Sequence, residues 1–149
     1  MQLKHLCSWL LLSMTISVNS YAKETAYRLS TFIKPSFQQI SLKVDPDSPT
    51  FSGQTSINID VTKTTNIIGF YQKGLNIQQA YLTNGDSRIP LTVSSHDYEI
   101  QHAKASGNIA ANRYTLHLIF DGKFNTSSDG MYLSKFEGSC FLVNLYIKI

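Results

Sequence analysis

Apolar and polar residues alternate along most of this chain with a period of two, the spacing that places every second side chain on one face of a β-strand. Ile40, Leu42 and Val44 alternate with Gln39, Ser41 and Lys43, and Thr55, Ile57, Ile59 and Val61 alternate with Ser56, Asn58 and Asp60. Between them, Asp45-Pro46-Asp47-Ser48-Pro49 combines prolines that fix a backbone angle with aspartates that bond their own backbone. The pattern predicts one strand ending at Val44, a tight surface turn, and a paired second strand from about Gly53 to Val61. Upstream, 27–33 is apolar enough to lie against a sheet, and Lys34-Pro35 forces an extended or turning backbone before Phe37.

The same period predicts further strands. Ile67, Ile68 and Phe70 mark one within 66–71, and Ile77, Ala80, Tyr81 and Leu82 another within 77–83. Asn84-Gly85 predicts a hairpin turn, because both residues accept the positive backbone angles of a two-residue loop. The strand that follows, over 88–93, contains Pro90, which cannot donate to a ladder, and this predicts an edge position. Tyr98, Ile100 and His102 alternate in a strand expected to end in the small-residue loop 103–111. The longest alternation is Tyr114, Leu116, Leu118 and Phe120 against Thr115, His117 and Ile119, closed by Asp121-Gly122. With no helical pattern between these segments, the chain is read as all-β, an antiparallel β-sandwich. Ile40, Leu42, Val44, Ile57, Ile59, Val61, Leu116, Leu118 and Phe120 are expected to point inward.

Composition narrows this picture. A chain of 149 residues, 42% hydrophobic and 15% charged, makes about one domain. The net charge of +3 is small and its cations are scattered, which argues against a nucleic-acid or anionic-membrane surface. Residues 1–22 read as a signal peptide. Lys4 and His5 lead a mainly apolar run from Leu6 to Val18, and Ser20-Tyr21-Ala22 offers small residues at a cleavage site. The run is shorter than the roughly 20 apolar residues needed to span a bilayer, and nothing later is long or apolar enough. The expected product is therefore an exported, periplasmic or extracellular domain over 23–149. Cys7 falls in the removed segment, so Cys140 has no partner for an intramolecular disulfide and is read as a structural strand residue.

Candidate chemistry is sparse. A zinc helix needs two histidines four apart with a glutamate between them. His96 and His102 are six apart with Glu99 midway, and on one strand their side chains would lie about 20 Å apart. His117 stands on another segment. Asp45 and Asp47 adjoin prolines in a turn and read as turn-making. There is no Gly-x-Ser-x-Gly elbow and no phosphate-cradling loop. Asn125-Thr126-Ser127 is a glycosylation sequon, and the eight Tyr and eight Phe read as core and sheet-face residues. No catalytic, cofactor-binding or metal-binding residue is assigned, and no cofactor is expected in this chain.

One resemblance adds to this reading. Tyr27-Arg28-Leu29, Pro35 followed by Phe37, an alternating strand with Asp45 at its end, and Thr50-Phe51-Ser52-Gly53 before a second alternating strand occur in that order. Tyr114-Thr-Leu-His-Leu-Ile-Phe-Asp-Gly122 and Asp129-Gly-Met-Tyr-Leu-Ser134 follow. The series resembles the opening of the M1 zinc aminopeptidases, the aminopeptidase N family. The resemblance implies the saddle-like N-terminal β domain, which packs beside a thermolysin-like catalytic domain and helps shape its peptide cleft; zinc belongs to the intact family. The family's Thr-Gln-x-Glu, Pro-Cys-x-Asp-Glu-Pro, Gly-x-Met-Glu-Asn and His-Glu-x-x-His segments are not in these residues, and from about Gly138 the pattern departs from the family's. The expectation is a non-catalytic N-terminal domain, incomplete from about 138 and cut short before the catalytic domain by a broken gene or as a genuine short form. Its expected partners are a catalytic domain or a peptide. The alternative is a freestanding secreted β-sandwich that binds a peptide or protein through an exposed sheet edge.

Overall fold

Ten strands follow one another in the computed structural model, which describes residues 28–45, 47–96, 99–125, 131–136, 139–143 and 147–148. They are β1 (Ile33–Val44), β2 (Thr50–Val61), β3 (Thr65–Gln72), β4 (Leu75–Asn84), β5 (Ser87–Ser95), β6 (Ile100–Ile109), β7 (Asn112–Lys123), β8 (Tyr132–Phe136), β9 (Ser139–Val143) and β10 (Ile147–Lys148). Among the described residues there is no helix. The expected leader, residues 1–22, and Tyr98 lie outside the described residues.

Eight strands form one antiparallel sheet in the order β1-β2-β7-β4-β5-β6-β3-β10, and β8 and β9 form a separate hairpin. Registers at the centre follow directly from the alternation. Ile57 faces Leu116, which faces Leu82, and Thr55 faces Leu118, which faces Ala80. On the opposite face, Ser56, His117 and Tyr81 form the corresponding row. Strands from both ends of the order share one core: Ile57, Ile59 and Val61 of β2 and Leu116 and Leu118 of β7 pack with Ile68 and Phe70 of β3 and Ala103, Ala105 and Ile109 of β6. The two layers of the sandwich are thus the halves of a single curled sheet. Each fully buried Leu, Ile or Phe contributes on the order of 1.5–3 kcal/mol.

Three expectations need correction. The segment 103–111 is not a loop: β6 runs to Ile109, with Ala103 and Ala105 both buried. Their small side chains fill a narrow part of the core, and only Ala110 and Ala111 remain between β6 and β7. Pro90 does not mark an edge, because β5 lies between β4 and β6. It pairs with Tyr81 of β4 but sits just outside the ladder with β6, which begins at Leu91, so its missing N–H breaks no bond to that neighbour. The loop of the β4–β5 hairpin is Gly85-Asp86, since Asn84 pairs with Ser87. Only Gly85 there has positive φ, +55°, while the Asn84 side chain donates to the Arg113 carbonyl at 3.0 Å.

Candidate docking surface

Two Phe-x-Gly triplets meet across β2 and β7. Phe51 faces Gly122, Ser52 faces Asp121, and Gly53 faces Phe120, so each ring lies over the other triplet's glycine. A Cβ on Gly122 would come within 2.5 Å of Phe51 Cζ. One on Gly53 would come within 2.9 Å of Phe120 Cζ, 2.7 Å of Leu42 Cδ2 and 2.8 Å of the Ser41 carbonyl oxygen. These glycines serve close approach, since neither has positive φ. Phe51, Phe120, Leu75 and Met131 form a second, smaller core against which Leu42, Val44, Ile77 and Phe124 pack. The rings of Phe51 and Phe124 lie 5.1 Å apart.

This small core seats only the far end of β1. Ile33 is buried and Leu42 and Val44 are half-buried, but every residue from Lys34 to Ser41 is exposed. Ile40 pairs with Thr55 and Gln38 with Ile57, so both belong to the face that is core elsewhere in the sheet. Ile40 is nevertheless 39% exposed, against the expectation that it points inward. The physical reason is position. Among the described residues β1 is the end strand, with β2 as its one neighbour in the sheet, and none of them covers the middle of β1 where the sheet curls to close the core. A bulge between Pro35 and Phe37 shifts the register, and Phe37, paired with Asn58 on the opposite face, is 60% exposed. Among the described residues these two are the large apolar side chains left exposed. Thr55 anchors this part of the strand by donating from Oγ1 to the Gln39 carbonyl at 3.0 Å and accepting from Gln38 Nε2 at 3.2 Å. The charges on β1 are Lys34 and Lys43, with no acidic residue between them.

The polar face of the central strands is, by contrast, internally satisfied. His117 shares hydrogen bonds at both ring nitrogens, Nδ1 with Ser56 Oγ and Nε2 with Thr83 Oγ1, each at 3.0 Å. Its ring stacks on Tyr81 at 4.7 Å, and the Arg88 guanidinium covers the Tyr81 ring at 3.7 Å. Burial, followed by the nearby Arg88 charge, holds His117 below its ordinary 6.5. A groove of about 490 Å³ beside it is lined by Asn58, Asp60, Thr83, Asn84, Arg113 and Thr115 among others. Its charges are paired too, with Arg113 Nε 3.2 Å from Asp60 Oδ1. Asp45 acts as the turn residue expected of it, accepting from the Asp47 N–H at 3.0 Å.

The histidine expectation fails in its geometry. His96 and His102 are not about 20 Å apart on one strand. Their rings stack with centroids 4.4 Å apart. The chain folds back between them: the His96 N–H donates to the Ile100 carbonyl at 2.8 Å, so His96 follows β5 while His102 lies on β6. Glu99 between them pairs instead with Lys73 at 3.6 Å. Burial and the neighbouring His96 hold His102 below its ordinary value. Among the described residues no three His, Cys, Asp or Glu side chains converge. Cys140 lies on β9, opposite Lys135.

The family model described as the Peptidase M1 N-terminal domain matches residues 34–140, from the second residue of β1 into β9. No curated protein matches the chain. The matched stretch contains both interlocked Phe-x-Gly triplets and the whole exposed part of β1, and it covers most of the 149 residues. The chain belongs to the Peptidase M1 N-terminal domain family.

Proposed function

We propose that this chain is a non-catalytic N-terminal domain that docks through β1 against the catalytic domain of an exported M1-type zinc aminopeptidase and forms one wall of its peptide cleft. The observation that carries the proposal is Ile40: a strand patterned like core, on the face that is core elsewhere, left 39% exposed. Among the described residues the outer backbone edge of β1 has no partner strand, and Phe37 stands exposed on the strand's other face. The family's zinc has no seat in these residues, which contain no His-Glu-x-x-His, and no step of peptide hydrolysis is assigned to them. Export is supported by the apolar run and Ser20-Tyr21-Ala22, and a mature chain beginning at Lys23 is its test.

The direct experiment is a binding titration against an M1 catalytic domain expressed without its own N-terminal β domain. Phe37→Asp combined with Ile40→Lys should weaken binding by roughly 30-fold or more, as expected for apolar anchors at an interface. Folding stability should change by no more than about 1 kcal/mol, because both side chains are exposed in the free domain. A variant that binds as tightly as the parent would remove β1 from the interface. The freestanding alternative uses the same edge, with Lys34 and Lys43 favouring an acidic extended peptide that adds as a strand. It is favoured if the catalytic domain fails to bind while such a peptide succeeds.

A further inference from the structure

We propose that His96 and His102 form a two-imidazole site for a divalent transition-metal ion, separate from the docking surface and from the catalytic zinc of the family. The ladder between β5 and β6 sets Ser94 opposite His102 and Ser95 opposite Gln101. His96, one step beyond, is therefore the diagonal neighbour of His102, and the rings lie 4.4 Å apart with their planes only 21° from parallel. Neither ring has a hydrogen-bond partner among the described residues, whereas both nitrogens of His117 are occupied. The pair thus offers free nitrogen lone pairs where His117 does not.

The surroundings have room for an ion and its remaining ligands. Both rings line a cavity of about 390 Å³ between the 28–32 segment and strands β3 and β6, together with Arg28, Ser30, Thr65 and Asn66. Gly69 faces His102 across the β3–β6 ladder, and without a side chain there the space beside the His102 ring stays open. Leu29 closes the far side, its Cδ2 3.1 Å from where a Gly69 Cβ would stand. A metal at about 2.0–2.1 Å from each of two nitrogens needs them roughly 3 Å apart. Rings already at stacking distance reach that by turning their edges together about the side-chain bonds. Water completes the coordination, and the polar residues Ser30 and Asn66 line the same cavity. Two imidazoles with Arg28 nearby make an exchangeable site of modest affinity, and its metals are those imidazole prefers, copper(II) above nickel(II) and zinc(II).

The test is calorimetric titration of the tag-free full chain with copper(II), nickel(II) and zinc(II) salts. The expected result is one ion per chain, copper binding most tightly. His96→Ala and His102→Ala should each weaken copper binding at least tenfold, while His117→Ala leaves it unchanged. Electron paramagnetic resonance of the copper form should show two coordinated imidazole nitrogens, and circular dichroism should show each variant folded as the parent. Absence of binding at millimolar ion, or equal binding after both histidines are replaced in a folded chain, would overturn the proposal.

Discussion

Gly53→Ala should destabilise the domain by about 1–3 kcal/mol, the usual cost of forcing an extra group into a packed core. Replacing a glycine with alanine normally stabilises by about 0.4–1 kcal/mol through the unfolded chain, so a loss here means that steric conflict wins. It wins because one obstacle is main chain: the new Cβ would stand 2.8 Å from the Ser41 carbonyl oxygen, which cannot swing aside as a side chain can. Relief requires β1 to move outward from β2. The atoms nearest a Cβ on Gly122 belong to side chains, Phe51 at 2.5 Å and Leu75 at 3.2 Å, so Gly122→Ala should cost less. Because the two glycines face each other's rings, the double variant should depart from additivity by 0.5 kcal/mol or more, as about 0.5–3 kcal/mol is usual for residues in contact. Urea denaturation measures all three, and a Gly53→Ala chain as stable as the parent would refute the interlock.

A second pair of substitutions separates two strands that look alike in sequence. Leu116→Ala should cost about 2–5 kcal/mol, since Leu116 is fully buried at the centre of the β2-β7-β4 triplet and its removal leaves a cavity. Ile40→Ala should cost less than about 1 kcal/mol, because much of its side chain is already in water. Denaturation midpoints at constant slope decide it. Equal losses at the two positions would mean that the face of β1 is covered by part of the chain itself.

That contrast also marks how far the sequence could be read. Alternation identifies strands and faces because side-chain direction is a local property of extended backbone, and so Ile57, Ile59, Leu116 and Leu118 point inward as expected. Whether a face is covered depends on strand order and curl, which are not local. Ile40 carries the same pattern as Ile57 and is exposed because β1 is the end strand. Pro90 misleads for the related reason that its strand is flanked on both sides, one neighbour diverging just where the proline sits. Ala103 and Ala105 read as loop because small residues usually mark loops, yet here they fill a tight core. The histidine pair was hidden by reading His96 into the strand of His102, when the turn between them doubles the chain back. The motifs shared with the family were legible as a series, but not their physical use: Phe51-Ser52-Gly53 and Phe120-Asp121-Gly122 are distant in sequence and interlock only across the β2–β7 ladder.

The claim that this domain is non-catalytic is tested most directly by incubating the purified chain with chromogenic amino-acid amides in the presence of added zinc. No turnover above the enzyme-free control is predicted, because the sequence contains neither a His-Glu-x-x-His motif to hold zinc nor a Gly-x-Met-Glu-Asn segment to hold a substrate amino terminus. Turnover that a chelator abolishes and zinc restores would contradict it.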